Sequence, residues 1–259
     1  MLLTLDVGNT HISVAVFQGD RLATQWRHPS SDRHTPARWA AAVAGQAKQV
    51  GLENGAVSAA VVASVVPAIT PLVMEGVRRA FGIDPAEVGP LSPLPVILDV
   101  DQPLSVGADR VVNTLAAVDL YRRDTIVVDF GTATTFDCIL ADGRFIGGVI
   151  APGLRTSADA LVQRAAKLFA TELVAPRRVI GRNTEECIQS GVMLGAVDAA
   201  DGIVRRIKAE WPGGGTPLVV ATGGLAGLVV PLSHQIDQVE PQLTSIGLRI
   251  AAKHLGQRW

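Results

Sequence analysis

From Leu3 to Phe17 an apolar run leads into an Asp-x-Gly turn with hydroxyl-bearing neighbours and then into a second apolar run: Leu-Thr-Leu-Asp-Val-Gly-Asn-Thr-His-Ile-Ser-Val-Ala-Val-Phe. The pattern returns half a chain later, from Ile126 to Leu140, as Ile-Val-Val-Asp-Phe-Gly-Thr-Ala-Thr-Thr-Phe-Asp-Cys-Ile-Leu. Aliphatic and β-branched runs on either side of a glycine predict two strands joined by a tight connection. A third run follows in each copy, Leu22 to Arg27 after Gly19-Asp20 and Phe145 to Ile150 after Asp142-Gly143. Those dipeptides are the turn pairs of two-residue hairpins.

The rest of each half alternates helical and strand patterns. After a polar stretch, His28 to Thr35, the run Pro36 to Val50 predicts a helix, with Pro at a first helical position, many Ala, and Trp39 and Val43 on its buried face. Val57 to Val65 reads as a buried strand, Pro71 to Phe81 as a helix stopping at Gly82, and Val96 to Leu98 as a short strand beyond a Pro-rich connection. A helix runs to Tyr121 from the segment Gly107-Ala108-Asp109-Arg110. In the second half, helices are expected over Leu154 to Leu168, Glu185 to Glu210 with Thr184 as N-cap, and Leu243 to His254. A strand at Leu218 to Ala221 ends in the glycine corner Thr222-Gly223-Gly224-Leu225-Ala226. Two βββαβαβα halves, residues 1–118 and 119–259, predict an α/β chain with mixed sheets and helices on both faces. This resembles the duplicated actin-like, ribonuclease H-like plan, in which two halves face across a cleft. Fold alone does not assign chemistry, since kinases, phosphatases, chaperone ATPases and filament formers share it.

Composition narrows the partners. The chain has 259 residues, 48% of them hydrophobic and 18% charged, with a formal net charge of −1 and no basic block. Neither nucleic acid nor a membrane surface is expected, and anionic ligands must be held by local groups. The longest apolar runs, such as Ala56 to Val66, fall short of a membrane span. Cys138 and Cys187 lack Cys-x-x-Cys spacing and no signal peptide is seen, so both are expected as buried free thiols in a reducing cytoplasm.

The candidate chemistry sits at the glycines. In each Asp-x-Gly copy the carboxylate falls where the first strand ends, the glycine admits a close ligand, and turn N–H groups with hydroxyls make a concavity suited to phosphate. Gly107 with Asp109 and Arg110 opens a helix whose unpaired N–H groups favour an anion. First-turn carboxylates also stabilise the helix dipole, which is the plainer role for Asp109. No His or Cys cluster suggests zinc, and no Gly-x-x-x-x-Gly-Lys-Thr suggests a P-loop.

Asp6-Val-Gly-Asn-Thr10, Ala63-Ser-Val-Val-Pro67, Gly107-Ala-Asp-Arg110, Asp129-Phe-Gly-Thr-Ala-Thr-Thr-Phe-Asp137, Gly181-Arg-Asn-Thr184 and Gly223-Gly-Leu-Ala226 occur in the order and approximate spacing of type III pantothenate kinases. The resemblance covers nearly the whole chain. It implies ATP-dependent phosphorylation of pantothenate, the first step toward coenzyme A, by a cytoplasmic homodimer that needs magnesium or another divalent metal and a monovalent cation, potassium or ammonium. Carried over by motif, Asp6, Val7, Gly8, Asn9, Thr10, His11, Ile12 and Ser13 form the first phosphate loop, with Asp6 near the divalent metal. Asp129 helps hold the monovalent cation, while Gly131, Thr132, Gly223 and Gly224 approach ATP. Gly107, Ala108, Asp109 and Arg110 bind pantothenate with Asp109 as the base, and Thr184 reaches the partner subunit's pantothenate. Two positions depart from the family pattern. His11 stands where a small polar residue is usual, and Val100 stands about where a Tyr is common, which removes a hydroxyl from the expected pantothenate pocket. Two other readings stay open at this stage: an actin-like kinase or phosphatase for another small molecule, and a non-catalytic regulatory relative.

Overall fold

The computed structural model describes residues 1–31, 35–52 and 55–259. The chain divides into two units, Met1–Asp119 with Leu243–Trp259, and Leu120–Gln242. In the first, β1 (Leu2–Val7), β2 (His11–Gln18) and β3 (Arg21–Pro29) form an antiparallel meander. Helix α1 (Pro36–Gln49) then leads to β4 (Ala59–Ser64), α2 (Thr70–Phe81), β5 (Ala86–Val88) and a two-residue strand β6 (Ile97–Leu98). Helix α3 (Ala108–Tyr121) follows. The sheet order is β3-β2-β1-β4-β5, with β4 parallel to β1.

The second unit repeats the plan. Strands β7 (Thr125–Phe130), β8 (Ala133–Ile139) and β9 (Arg144–Pro152) precede α4 (Leu154–Arg164) and the long α5 (Thr184–Ala209). Then come β10 (Leu218–Thr222), α6 (Ala226–Val229) and β11 (Gln238–Val239), and this unit's own strands follow the order β9-β8-β7-β10-β11 within their sheet. Both units thus run a three-stranded meander and then two parallel strands, the duplicated ribonuclease H-like arrangement expected from the two Asp-x-Gly copies. Each meander even carries a register shift at the same place, between Val16 and Phe17 and between Cys138 and Ile139.

Burial explains the layers. In β4 every residue from Ala59 to Ala63 is buried, as fits a central strand covered on both faces. On one side of the first sheet Leu3, Leu5, Val14 and Val62 pack with Trp39 and Val43 of α1 and with Val73 and Val77 of α2. The two helices approach closely because Gly76 of α2 faces Trp39, where a Cβ would be only 2.7 Å from the Trp39 Cβ. Across the sheet, Leu2, Phe17 and Val61 pack with Val112 and Leu115 of α3 and with Leu248, Ala251 and Ala252 of α7 (Leu243–His254).

That last contact revises the expected division. The order of elements along the sequence places residues 243–259 in the second half. They group with the first unit because the apolar face of α7 fills the first core and Gly247 lies against the Val112 backbone, where no side chain fits. Arg249 and Lys253 of α7 also pair with Asp20 in the β2–β3 turn.

Smaller differences have local causes. The β8–β9 connection is a four-residue loop, Leu140 to Gly143, closed by Leu140 N–H to the Arg144 carbonyl at 2.8 Å, rather than a two-residue hairpin. Strand β3 continues to Pro29, so the expected polar stretch starts later, and its residues 32–34 lie outside the described residues. Helix α4 ends at Arg164, short of Leu168. Cys138 is buried as expected, but Cys187 is exposed, because it lies on the outer face of α5. By length and composition α5 is apolar enough to cross a membrane. Its apolar residues Met193, Val197, Ala200 and Val204 instead lie in the second unit's core.

Candidate functional site

Asp6 occupies the end of β1, the central strand of its sheet, half-buried, paired with Ser13 on β2 and Ala63 on β4. Val7 and Ile12 are buried and anchor the loop's two arms, while Asn9, Thr10 and His11 are exposed at its tip. Gly8 N–H donates to the His11 carbonyl at 3.0 Å, and a Cβ on Gly8 would stand 3.0 Å from that oxygen. Glycine therefore permits the tightness of the turn. His11 projects into solvent from the strand start, so the imidazole leaves the loop's hydrogen bonds intact.

The same carboxylate position recurs in the second unit. Asp129 is half-buried at the end of β7, opposite Thr135 on β8 and Thr222 on β10. Gly131 N–H closes the turn onto the Ala133 carbonyl at 3.0 Å. This loop is one residue shorter, since Phe130 pairs with Thr134 whereas Val7 pairs with Ile12. Thr132 is exposed at its tip. The corner after β10 is pinned against it by Leu225 N–H to the Phe130 carbonyl at 3.1 Å. Gly223, with φ of +91°, lies against Asp129, and a Cβ there would fall on Asp129 Oδ1 and on the Phe130 backbone. Gly224 is exposed beside it.

Asp109 stands in the first turn of α3. Its Oδ1 accepts the Arg110 N–H at 2.8 Å and lies against Gly107, where any Cβ would displace it. Burial pushes the carboxyl above its ordinary range, with the Arg110 N–H and guanidinium opposing. Gly107 also meets Val65, and Val65 N–H donates to the Val7 carbonyl at 3.1 Å. The segment Ala63-Ser-Val-Val-Pro67 thus joins the first loop to the start of α3. Ser64 Oγ bonds Thr70 Oγ1 at 2.6 Å and accepts Val66 N–H, which holds that segment bent. Ala108 is buried and Arg110 half-buried.

The structure therefore brings together Asp6 to Ser13 with Gly107 to Arg110 in one unit, and Asp129, Gly131, Thr132, Gly223 and Gly224 in the other. Thr184 and Val100 belong to neither hydrogen-bonded set. Val100 is half-buried in the bend after β6. Thr184 is not the N-cap: Asn183 is, its Oδ1 accepting Glu186 N–H at 2.9 Å while the Glu186 carboxylate takes Arg182 N–H at 2.9 Å. The Asn183 side chain thus caps the helix, while Glu186 reaches one residue further back than the N-cap. This leaves the Thr184 hydroxyl exposed and outside the cap.

The motif reading missed Ser30. Its Oγ donates to the Gly8 carbonyl at 2.6 Å and its N–H to the Thr10 carbonyl at 2.9 Å. Its counterparts in the second unit are Gly153, whose N–H donates to the Thr132 carbonyl at 3.2 Å, and Thr156, whose Oγ1 donates to the same oxygen at 2.6 Å. Aligning the third strands of the two copies would have matched Pro29-Ser30 with Pro152-Gly153 and exposed the pair.

Residues 2–206 match the family model of type III pantothenate kinase. The chain belongs to that family. It is 45% identical over 250 residues to the type III pantothenate kinase of Moorella thermoacetica, covering 96% of this chain and 98% of the relative. It is 41% identical over 255 residues to that of Thermomicrobium roseum, covering 98% of each. Among solved structures, a Sinorhizobium meliloti protein assigned as a 2-dehydro-3-deoxygalactonokinase superposes with a TM-score of 0.58 at 13% identity, over 98% of this chain and 99% of that one. That likeness speaks for the actin-like fold alone. Family membership bears on both Asp-x-Gly loops, because the matched span includes Asp6, Asp109, Asp129 and Thr184.

Proposed function

We propose that the chain transfers the γ-phosphoryl group of ATP to the primary hydroxyl of pantothenate, forming 4'-phosphopantothenate in the first step of coenzyme A biosynthesis. One observation carries the reading: a strand-end carboxylate beside a glycine turn is built twice, and the first copy is tied through Val65 to a desolvated carboxylate, Asp109. Phosphoryl transfer asks a protein chiefly for positioning and for charge stabilisation, and two N–H-lined turns supply both.

In this reading the loops Asp6 to Ser13 and Asp129 to Thr132 hold the phosphates, with Gly223 and Gly224 admitting ATP closely. Asp6 would stand near magnesium, which takes only one or two carboxylates and keeps several waters, so a sparse acid set fits. The divalent ion, when bound, supplies neutralisation of phosphate charge. Asp129, confined by Gly223 and 3.6 Å from where a Gly131 Cβ would lie, holds the monovalent cation, potassium or ammonium. Gly107, Ala108 and Arg110 bind pantothenate and Val100 borders it. Asp109 accepts the proton of the attacking hydroxyl through its carboxylate oxygens. Its raised pKa makes it a stronger base than an exposed carboxylate.

A cytoplasmic homodimer completes the reading, with Thr184 reaching the partner subunit's pantothenate. The freed Thr184 hydroxyl supports this, as does the face of α5 beyond it, where Cys187, Gly191, Gly195 and Ala199 are exposed. Val179 and Ile180, just before α5, are 71% and 82% exposed. The deciding experiment is ATP consumption on addition of pantothenate. Turnover only with another acceptor favours a different small-molecule kinase, and none with any acceptor favours a regulatory relative.

A further inference from the structure

Ser30 touches the first phosphate loop on both sides of its tip. In a trans peptide the carbonyl of one residue and the N–H of the next point in opposite directions. With the Gly8 carbonyl held by Ser30 Oγ and the Thr10 carbonyl by Ser30 N–H, the Asn9 and His11 N–H groups must point away from Ser30. The hydroxyl has a second effect. A closing antiparallel pair would return the His11 N–H to the Gly8 carbonyl, as Gly8 N–H is given to His11. Ser30 Oγ competes for that carbonyl, and the turn is closed through Gly8 N–H to the His11 carbonyl.

The second loop uses the same device with different residues. The Thr132 carbonyl is held by Gly153 N–H and Thr156 Oγ1, and a Cβ on Gly153 would fall on both the Gly131 and the Thr132 carbonyl oxygens. Both carbonyls therefore face Gly153, and the N–H groups of the residues after them face the other way. Successive N–H groups turned to one side form an anion-binding concavity.

We infer that Ser30 and Thr156 are positioning residues, which clamp the loop carbonyls and so aim the backbone N–H groups at the phosphates of the nucleotide. The inference rests on the phosphate-loop reading above and goes beyond it by naming what holds the loops in their binding form. Ser30 is 8% exposed and Thr156 lies open on α4, so neither needs to touch the nucleotide itself.

The test is binding of a non-hydrolysable ATP analogue with magnesium to the full chain, by calorimetry, together with steady-state kinetics. Ser30→Ala should weaken analogue binding and raise the KM for ATP by about 10- to 100-fold, the worth of one hydrogen bond to a charged group, with the KM for pantothenate little changed. Ser30→Thr, which retains the hydroxyl, should recover most of the loss. Thr156→Val should act in the same direction without loss of fold, since its hydroxyl is exposed. Wild-type analogue affinity in Ser30→Ala with a lowered melting temperature would make Ser30 structural only and overturn the inference. If Ser30→Ala does not fold, unchanged affinity in Thr156→Val overturns it. A wild-type chain that binds the analogue yet leaves pantothenate untouched overturns the proposed acceptor and leaves the clamp standing, whereas no analogue binding overturns both.

Discussion

Gly223 and Asp129 share one space: the glycine, at φ of +91°, leaves no room for a side chain beside the Asp129 carboxylate. A methyl there would push the carboxylate aside, and that backbone conformation is strained for any residue with a Cβ. If Asp129 holds a monovalent cation, wild-type turnover should rise when potassium or ammonium replaces sodium at constant ionic strength, a condition that excludes general screening. Gly223→Ala should flatten that response and lower turnover. Equal wild-type rates in the two salts would remove the cation from Asp129.

Asp109→Asn keeps the shape and the acceptor for Arg110 N–H but abolishes the base. Turnover should fall about 10²- to 10⁴-fold with ATP affinity nearly unchanged. Stability should move the other way. Burial raises the folded-state pKa above the unfolded value, so the folded chain binds the extra proton and wild-type stability is lost as pH rises through the folded pKa. The melting temperature of the variant should therefore exceed wild type at neutral pH, and the advantage should vanish on acidification below the ordinary carboxylate range. A lower melting temperature at neutral pH with near-normal turnover would return Asp109 to a helix-dipole role.

Gly107→Ala tests the same carboxylate by displacement. The new methyl would meet Asp109 Oδ1 and stand 3.3 Å from Val65 Cγ1. Misplacing a base by about 1 Å can cost roughly 10²-fold, so the turnover number should drop by that order while binding of the ATP analogue persists. Calorimetry and kinetics on the same preparation separate the two effects.

The Asn183 cap separates Thr184 from its neighbour. Asn183→Ala should cost about 0.5–2 kcal/mol of stability through loss of the cap, whereas Thr184→Ala should leave the melting temperature near wild type. If Thr184 serves the partner subunit's site, its removal should raise the KM for pantothenate. Mixing Asp109→Ala and Thr184→Ala subunits should then restore activity in heterodimers, which contain one site with neither defect. Demonstrated subunit exchange without recovered activity would end the shared-site assignment.

Much of this was legible in the sequence because it is set locally. Period-two apolar runs around Asp6-x-Gly8 and Asp129-x-Gly131 specify strand, turn and strand wherever the chain goes, and α7 follows from its own apolar stripe with the bounds Leu243 and His254 as read. The Asn183-x-x-Glu186 cap was readable too, from spacing alone, although Thr184 was preferred. The sequence could not say which core α7 would fill, since an apolar face states that it will be buried and not against what. It could not show Val65 linking Val7 to Gly107, or Ser30 holding carbonyls at Gly8 and Thr10 from two strands away. Periodicity and turn chemistry act over a few residues and are written in the chain. The direction of a peptide plane and the desolvation of Asp109 depend on groups distant in sequence, and only folding brings those together.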